Sequence, residues 1–188
     1  MQAARRDPLT GLPGRDEPTA YSDRLLRTSR RTAVHVMLLD GNGFKAINDT
    51  HGHAVGDAVI RATGQHLAAW TTGRQALTAR LGGDEFAVTA VLPNASALAD
   101  ITALREQLHQ PLTHDGHTLQ MTVSLGIARA ADLPGENTGR LLRAADAAMY
   151  KVKIGAQTFP YLAIRADAYG DTVNSRRVGR SGTHLPVA

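Results

Sequence analysis

The sequence predicts an α/β fold, a sheet flanked by helices, and three observations carry that reading. Residues 32–40 form a nearly continuous apolar run, the mark of a central strand covered on both faces. Two apolar and β-branched runs, 76–79 and 87–92, flank the pair Gly82-Gly83 and read as a β-hairpin. Apolar residues recur at helical spacing through about 55–70 and again through 138–153.

The hairpin, Arg80-Leu81-Gly82-Gly83-Asp84-Glu85-Phe86, is the stretch that points to chemistry. Two glycines allow backbone angles closed to other residues and leave the tip without side chains, so a ligand can approach the main chain. Asp84 and Glu85 follow directly. Neighbours within a strand point to opposite faces, but at a hairpin tip both can reach one site. Carboxylates beside a glycine turn that admits a phosphate chain suggest Mg²⁺ and a nucleotide. An ordinary turn with solvated acids explains these few residues equally well, and the rest of the chain decides.

With 188 residues, 43% hydrophobic and 20% charged, the chain fits one soluble domain with its own core. The absence of cysteine excludes disulfides and thiolate metal sites. No apolar stretch nears the roughly 20 residues of a membrane span. The opening Met1-Gln2-Ala3-Ala4-Arg5-Arg6-Asp7 lacks the apolar core of a signal peptide, so the expected location is cytoplasmic and no membrane partner is expected. Net charge is +4, but the basic residues are scattered and aromatics make up 4%, thin for a surface that stacks bases. Nucleic acid is therefore not an expected partner. Lysine occurs only at 45, 151 and 153.

Asp7-Pro8-Leu9-Thr10-Gly11-Leu12-Pro13-Gly14-Arg15 is dense in turn residues and precedes a helix over about 15–30, with Pro18 in its first turn. His35, inside the run 32–40, reads as a core or strand-face residue. That strand ends at Asp40, followed by the glycine-rich Gly41-Asn42-Gly43, a common setting for rigidly held metal ligands. His51 and His53 form an HxH pair, but no third or fourth ligand stands at zinc spacing, and capping or local hydrogen bonding explains them better. A helix over about 96–108 follows, with Asn94 or Ser96 capping. The Asp115-Gly116 turn makes a second hairpin, and 120–128 is a further core strand. Lys151 and Lys153 sit in the last turn of the helix 138–153, where cations complement the helix dipole. Residues 159–164 suggest a last strand, at a sheet edge or strand start because of Pro160. One domain over 1–165 and a tail over 166–188 are expected.

Taken together these motifs resemble the GGDEF family of diguanylate cyclases, over roughly 7–155 and in the family's order. The opening loop matches DxLTGLxNR with Gly14 for the usual Asn; residues 40–57 match DxDxFKxINDxxGHxxGD with Asn42 for the second Asp. The signature stands complete at 82–86, Ser124 to Ala128 matches SxGIA, and Asp146 to Lys153 resembles DxAMYxAK with Val152 for the last Ala. The resemblance implies a central, mostly antiparallel five-stranded sheet flanked by helices, ferredoxin-like as in nucleotidyl cyclases. It implies condensation of two GTP molecules into cyclic di-GMP with release of two pyrophosphates, at the interface of a dimer. By the same resemblance Asp40, the Gly41 carbonyl and Asp84 hold Mg²⁺ (or Mn²⁺), and Glu85 assists there or helps activate the ribose 3′-hydroxyl. Asn48 and Asp57 read the guanine edge, Lys45 and Lys153 meet the phosphates, and Leu12 lies against the base. Gly82, Gly83 and His53 complete the substrate side, and Phe44 is a packing residue.

Three departures from the family pattern bear on function. Ala156-Gln157 stand where the family carries Gly-Arg, and losing a charged phosphate contact weakens triphosphate binding by ~1–3 kcal/mol. The family's product-inhibition motif RxxD is replaced by Gly73-Arg74-Gln75-Ala76, so product inhibition is not expected. No sensory or dimerising module is visible, so two protomers must associate transiently or be assembled by a separate or missing regulatory module. The alternative is a catalytically weak GGDEF domain that binds a guanine nucleotide and acts through a partner protein.

Overall fold

Strand β1 (Val34–Asn42) runs through the middle of the sheet with every residue buried but the last. Its side chains alternate between two cores. Val34, Val36 and Leu38 pack with Leu25, Leu26, Leu141, Ala145 and Met149, whereas Met37 and Leu39 pack with Val59, Ile60, Leu67, Ile101 and Leu104. That double burial is why the sequence there is apolar without interruption. The structure, a computed structural model, describes residues 6–169 apart from Arg30, Glu136 and the side chain of Arg31.

β1 pairs antiparallel with β3 (Glu85–Val91) on one side and with β6 (Thr122–Arg129) on the other. β2 (Ala76–Gly82) completes the order β2-β3-β1-β6. Helices in both crossovers make this a βαββαβ arrangement of the ferredoxin-like kind. Helices α3 (His53–Thr71) and α4 (Ala97–Leu108) cover one face, α1 (Glu17–Thr28) and α5 (Thr138–Lys153) the other. α5 lies so close to β6 that a Cβ on Gly126 would collide with the Ala145 carbonyl and the Met149 amide. Beside the main sheet, β4 (Leu112–His114) and β5 (His117–Leu119) form a two-stranded hairpin. Asp115 (φ 48°) and Gly116 (φ 78°) both take positive φ, as the predicted Asp-Gly turn requires.

The structure departs from expectation in four places. An eight-residue helix, α2 (Phe44–His51), fills what the sequence suggested was a glycine-rich connection; glycines with left-handed φ, Gly43 at 75° and Gly52 at 84°, bound it. Ser96 stands at the N-cap of α4 but makes no capping side-chain bond. The main sheet has four strands rather than five. Leu162 makes a single parallel bridge to Ile127, and Ala163 donates to the Ile127 carbonyl at 2.7 Å. The next amide, Ile164, is claimed by the Asp167 carboxylate at 2.8 Å, and the pairing stops. Lastly, Arg165–Ala168 form a 3-10 helix with Asp167 and Ala168 buried, so ordered packing continues past 165. The rest of the expected tail, 170–188, lies outside the described residues.

Candidate active site

The register of the sheet assembles a polar rung at one end of an apolar core. Asp40 faces Glu85 across β1 and β3 and Ser124 across β1 and β6. Directly opposed residues share a face, and by alternation this is the face of Val36 and Leu38, the one α5 covers. Asp40 and Glu85 are only 4% and 3% exposed. A buried carboxylate demands charged or hydrogen-bonding partners, and α5 supplies one: Lys153 Nζ donates to Asp40 Oδ1 at 2.5 Å. Lys153 thus serves this site in addition to ending a helix. Lys151, two residues earlier, is committed elsewhere, to Asp167 at 2.6 Å and Tyr161 at 3.2 Å.

The double-glycine tip is held from behind. Gly82 (φ 132°) and Gly83 (φ 56°) need the conformations only glycine adopts freely, and both are exposed. Arg80 donates to the Gly83 carbonyl through Nε (3.0 Å) and Nη2 (2.7 Å), while its Nη1 meets both Asp7 oxygens at 3.0 and 3.1 Å. Asp7 also accepts from the Thr10 amide and hydroxyl. Burial alone would raise the Asp7 carboxyl, but these hydrogen bonds outweigh it and hold the group below its ordinary value. Arg15 clasps the adjoining bulge by donating to the Leu81 carbonyl at 3.2 and 2.9 Å. The sequence reading assigned no role to Asp7, Arg15 or Arg80. Asp7 and Arg80 are 73 residues apart, beyond any local periodicity, so nothing in the sequence pairs them.

Four of the residues expected on the nucleotide side lie on α2 and α3. Lys45 lies exposed in the first turn of α2, Asn48 is half-buried one turn later, and His53 and Asp57 are exposed in the first turns of α3. Gly52, not a histidine, is the N-cap of α3, and the His51 ring stacks obliquely against His117 at 5.1 Å rather than pairing with His53. Leu12 is buried in the core, with Thr10 and Leu12 seated against Gly64 of α3. Arg74, in the segment that replaces RxxD, donates to the Trp70 carbonyl at 2.6 Å and lies over the Trp70 ring.

A hard divalent cation fits the chemistry of the β1 end. The donors there are all oxygens: the Asp40 and Glu85 carboxylates, the Gly41 carbonyl and the Asp84 carboxylate. Gly41 donates to the Asp84 carbonyl at 3.1 Å, and a Cβ on Gly41 would lie 3.1 and 3.2 Å from the Asp84 Cβ and Oδ2 and 2.7 Å from the Met121 Sδ. Only glycine leaves this strand end open beside Asp84. Among the described residues no three acidic or histidine side chains already converge as a metal cluster. Asp84 sits at the turn beside Gly41, the neighbour of Asp40, and Lys153 provides the positive charge at Asp40.

Comparison with known proteins agrees with this arrangement. The family described as "Diguanylate cyclase, GGDEF domain" matches residues 4–157. An uncharacterized 19.3 kDa protein of Streptomyces ambofaciens is 46% identical over 153 residues, spanning 81% of this chain and 80% of that one. Diguanylate cyclase DgcZ of Escherichia coli is 35% identical over 149 residues; the match spans 78% of this chain but only 49% of DgcZ. The isolated GGDEF domain of Pseudomonas aeruginosa TpbB (YfiN) superposes with a TM-score of 0.77 at 33% identity, covering 87% of this chain and 96% of that one. With the ferredoxin-like sheet, the glycine tip and the motif order all in agreement, the chain belongs to the GGDEF domain family.

Proposed function

We propose that the protein is a Mg²⁺-dependent diguanylate cyclase that condenses two GTP into cyclic di-GMP across a transient dimer. The observation that carries this is the buried Asp40–Glu85 pair set beside an open double-glycine tip. A domain that only binds a partner has no use for carboxylates buried at that cost. Each new bond forms when a ribose 3′-hydroxyl attacks the α-phosphorus of the other GTP in line; the P–O bond to pyrophosphate breaks, and the hydroxyl proton passes to a base. When bound, Mg²⁺ would neutralise the triphosphate and stabilise the attacking and leaving oxygens, held by Asp40, Asp84, Glu85 and the Gly41 carbonyl. Glu85, opposite Asp40 in the sheet register, would assist at the metal site or help activate the 3′-hydroxyl. Lys153 and Lys45 would carry the phosphate charge. Asn48 and Asp57 would read guanine, Asp57 accepting from N1–H and the N2 amino group, a pairing that rejects adenine by orders of magnitude. Each site takes one GTP, so catalysis needs two protomers face to face.

One observation favours a second reading, a guanine-nucleotide-binding module with weak catalysis. Ala156 and Gln157 replace the phosphate arginine, and the Gln157 amide donates to the Lys151 carbonyl at 3.0 Å in a tight turn off α5. Lys151 cannot compensate, because Asp167 holds it. Incubation of purified protein with GTP and Mg²⁺, followed by chromatography, decides between the two. Cyclic di-GMP from the parent and at least ~100-fold less from an Asp84→Ala, Glu85→Ala variant is the expected result. GTP binding without product at high protein concentration overturns the enzyme in favour of the module.

A further inference from the structure

Gly56 occupies an unusual place for a glycine. It is the fourth residue of α3, buried, and among the glycines that do not take a positive φ, so the helix backbone does not require it. A glycine there weakens the helix relative to alanine. What excludes a side chain is space. A Cβ on Gly56 would fall inside the contact distance of Asn48 Oδ1, lie 2.9 Å from Asn48 Cγ and 3.3 Å from the Phe44 ring. Asn48 and Phe44 are one turn apart on α2, so α2 presses one face against α3 at Gly56.

The linker explains the closeness. One residue, Gly52, separates the two helices; its amide caps α2 through the Asn48 carbonyl at 2.9 Å, and its carbonyl accepts from the Gly56 amide at 3.2 Å. Asn48 and Gly56 therefore flank the hinge by one turn on either side, and Asp57 follows Gly56 directly. An asparagine amide wedged against a helix backbone loses rotamer freedom before any ligand arrives, which is what a hydrogen-bonding reader needs.

From this geometry we infer that Gly56 is a specificity-determining positioning residue, whose missing side chain seats Asn48 for discrimination between guanine and other purines. The inference rests on the proposed role of Asn48 and Asp57 as guanine readers. It adds that the reading depends on a residue with no hydrogen-bonding group of its own.

Thermal melts and nucleotide competition on the full chain test it, with Gly56→Ala, Asn48→Ala and the double variant, using GTP, ITP (GTP without the N2 amino group) and ATP as probes. With Asn48 present, Gly56→Ala lowers the melting temperature; in the Asn48→Ala background the same change costs markedly less, because only the Phe44 ring, at 3.3 Å, then has to give. The preference for GTP over ITP and ATP falls about tenfold or more in Gly56→Ala, falls likewise in Asn48→Ala, and falls no further in the double variant. A thermal loss as large in the Asn48→Ala background as with Asn48 present overturns the steric basis. Discrimination kept in Gly56→Ala but lost in Asn48→Ala overturns the positioning role alone. Discrimination kept in Asn48→Ala overturns the guanine-reading role itself, and the specificity claim for Gly56 with it.

Discussion

Asp7→Asn removes the charge from the brace behind the hairpin while keeping its shape. The Asp7 carboxylate accepts from Thr10 at 2.8 and 2.7 Å and from Arg80 at 3.0 and 3.1 Å. The ion pair is well shielded, its side chains 13% and 17% exposed. A hydrogen bond to a charged group contributes ~1.5–3 kcal/mol, and removing one partner of a fully buried pair costs about 3–5 kcal/mol. Partial exposure and the retained amide oxygen reduce that to about 2 kcal/mol at neutral pH. With a urea slope on the order of 2 kcal/mol/M, the denaturation midpoint falls by about 1 M. The pH dependence gives a second check. A carboxyl held below its ordinary value contributes stability that is fully present above the unfolded pKa of about 3.9 and is lost as pH falls through the folded value. Parent and variant therefore differ fully at neutral pH and converge in acid. Urea melts at neutral pH and in strongly acidic buffer measure both. A difference below about 0.5 kcal/mol at neutral pH, or one undiminished in acid, refutes the brace.

Two further substitutions probe the frame around Lys153. Gly126→Ala drives a methyl group into the backbone of α5, which cannot rotate aside as a side chain would. Overpacking costs typically ~1–3 kcal/mol and more against backbone, so we expect at least about 3 kcal/mol of destabilisation in thermal or urea melts, and an unchanged midpoint rules out the close approach. Asp167→Asn tests the clasp on Lys151. The hydrogen bond to Asp167 is the chief cause that raises the Lys151 ammonium above its ordinary value, so its contribution is full below the unfolded pKa near 10.4 and is lost as pH rises through the folded one. Lys151 is 36% exposed, and after solvent screening the loss is about 1 kcal/mol at neutral pH. Parent and variant melting temperatures converge in strong alkali; a gap that persists there counts against the clasp.

What could be read from the sequence was what repeats locally. The apolar run of β1, the Gly82-Gly83 tip, the Asp115-Gly116 turn and α5 each satisfy a period or a turn rule within ten or so residues, and each was placed correctly. Asp40 and Glu85 could be named as site residues, but not paired, because their juxtaposition depends on the register of β1 against β3. Helix α2 was missed because its apolar residues, Phe44 and Ile47, are too few for a period and glycines stand at both ends. The fifth strand was over-read for a reason equally invisible locally: the amide of Ile164 is taken by a side chain three residues on. The same limit explains Asp7 with Arg80 and Gly56 with Asn48. Gly56 in particular reads as a poor helix residue in the sequence and becomes intelligible only when α2 is laid against it. The residues that hold the candidate site in shape are therefore harder to read than those proposed to perform its chemistry, since a carboxylate or lysine announces itself by type, whereas a brace or a gap is defined only by its distant partner.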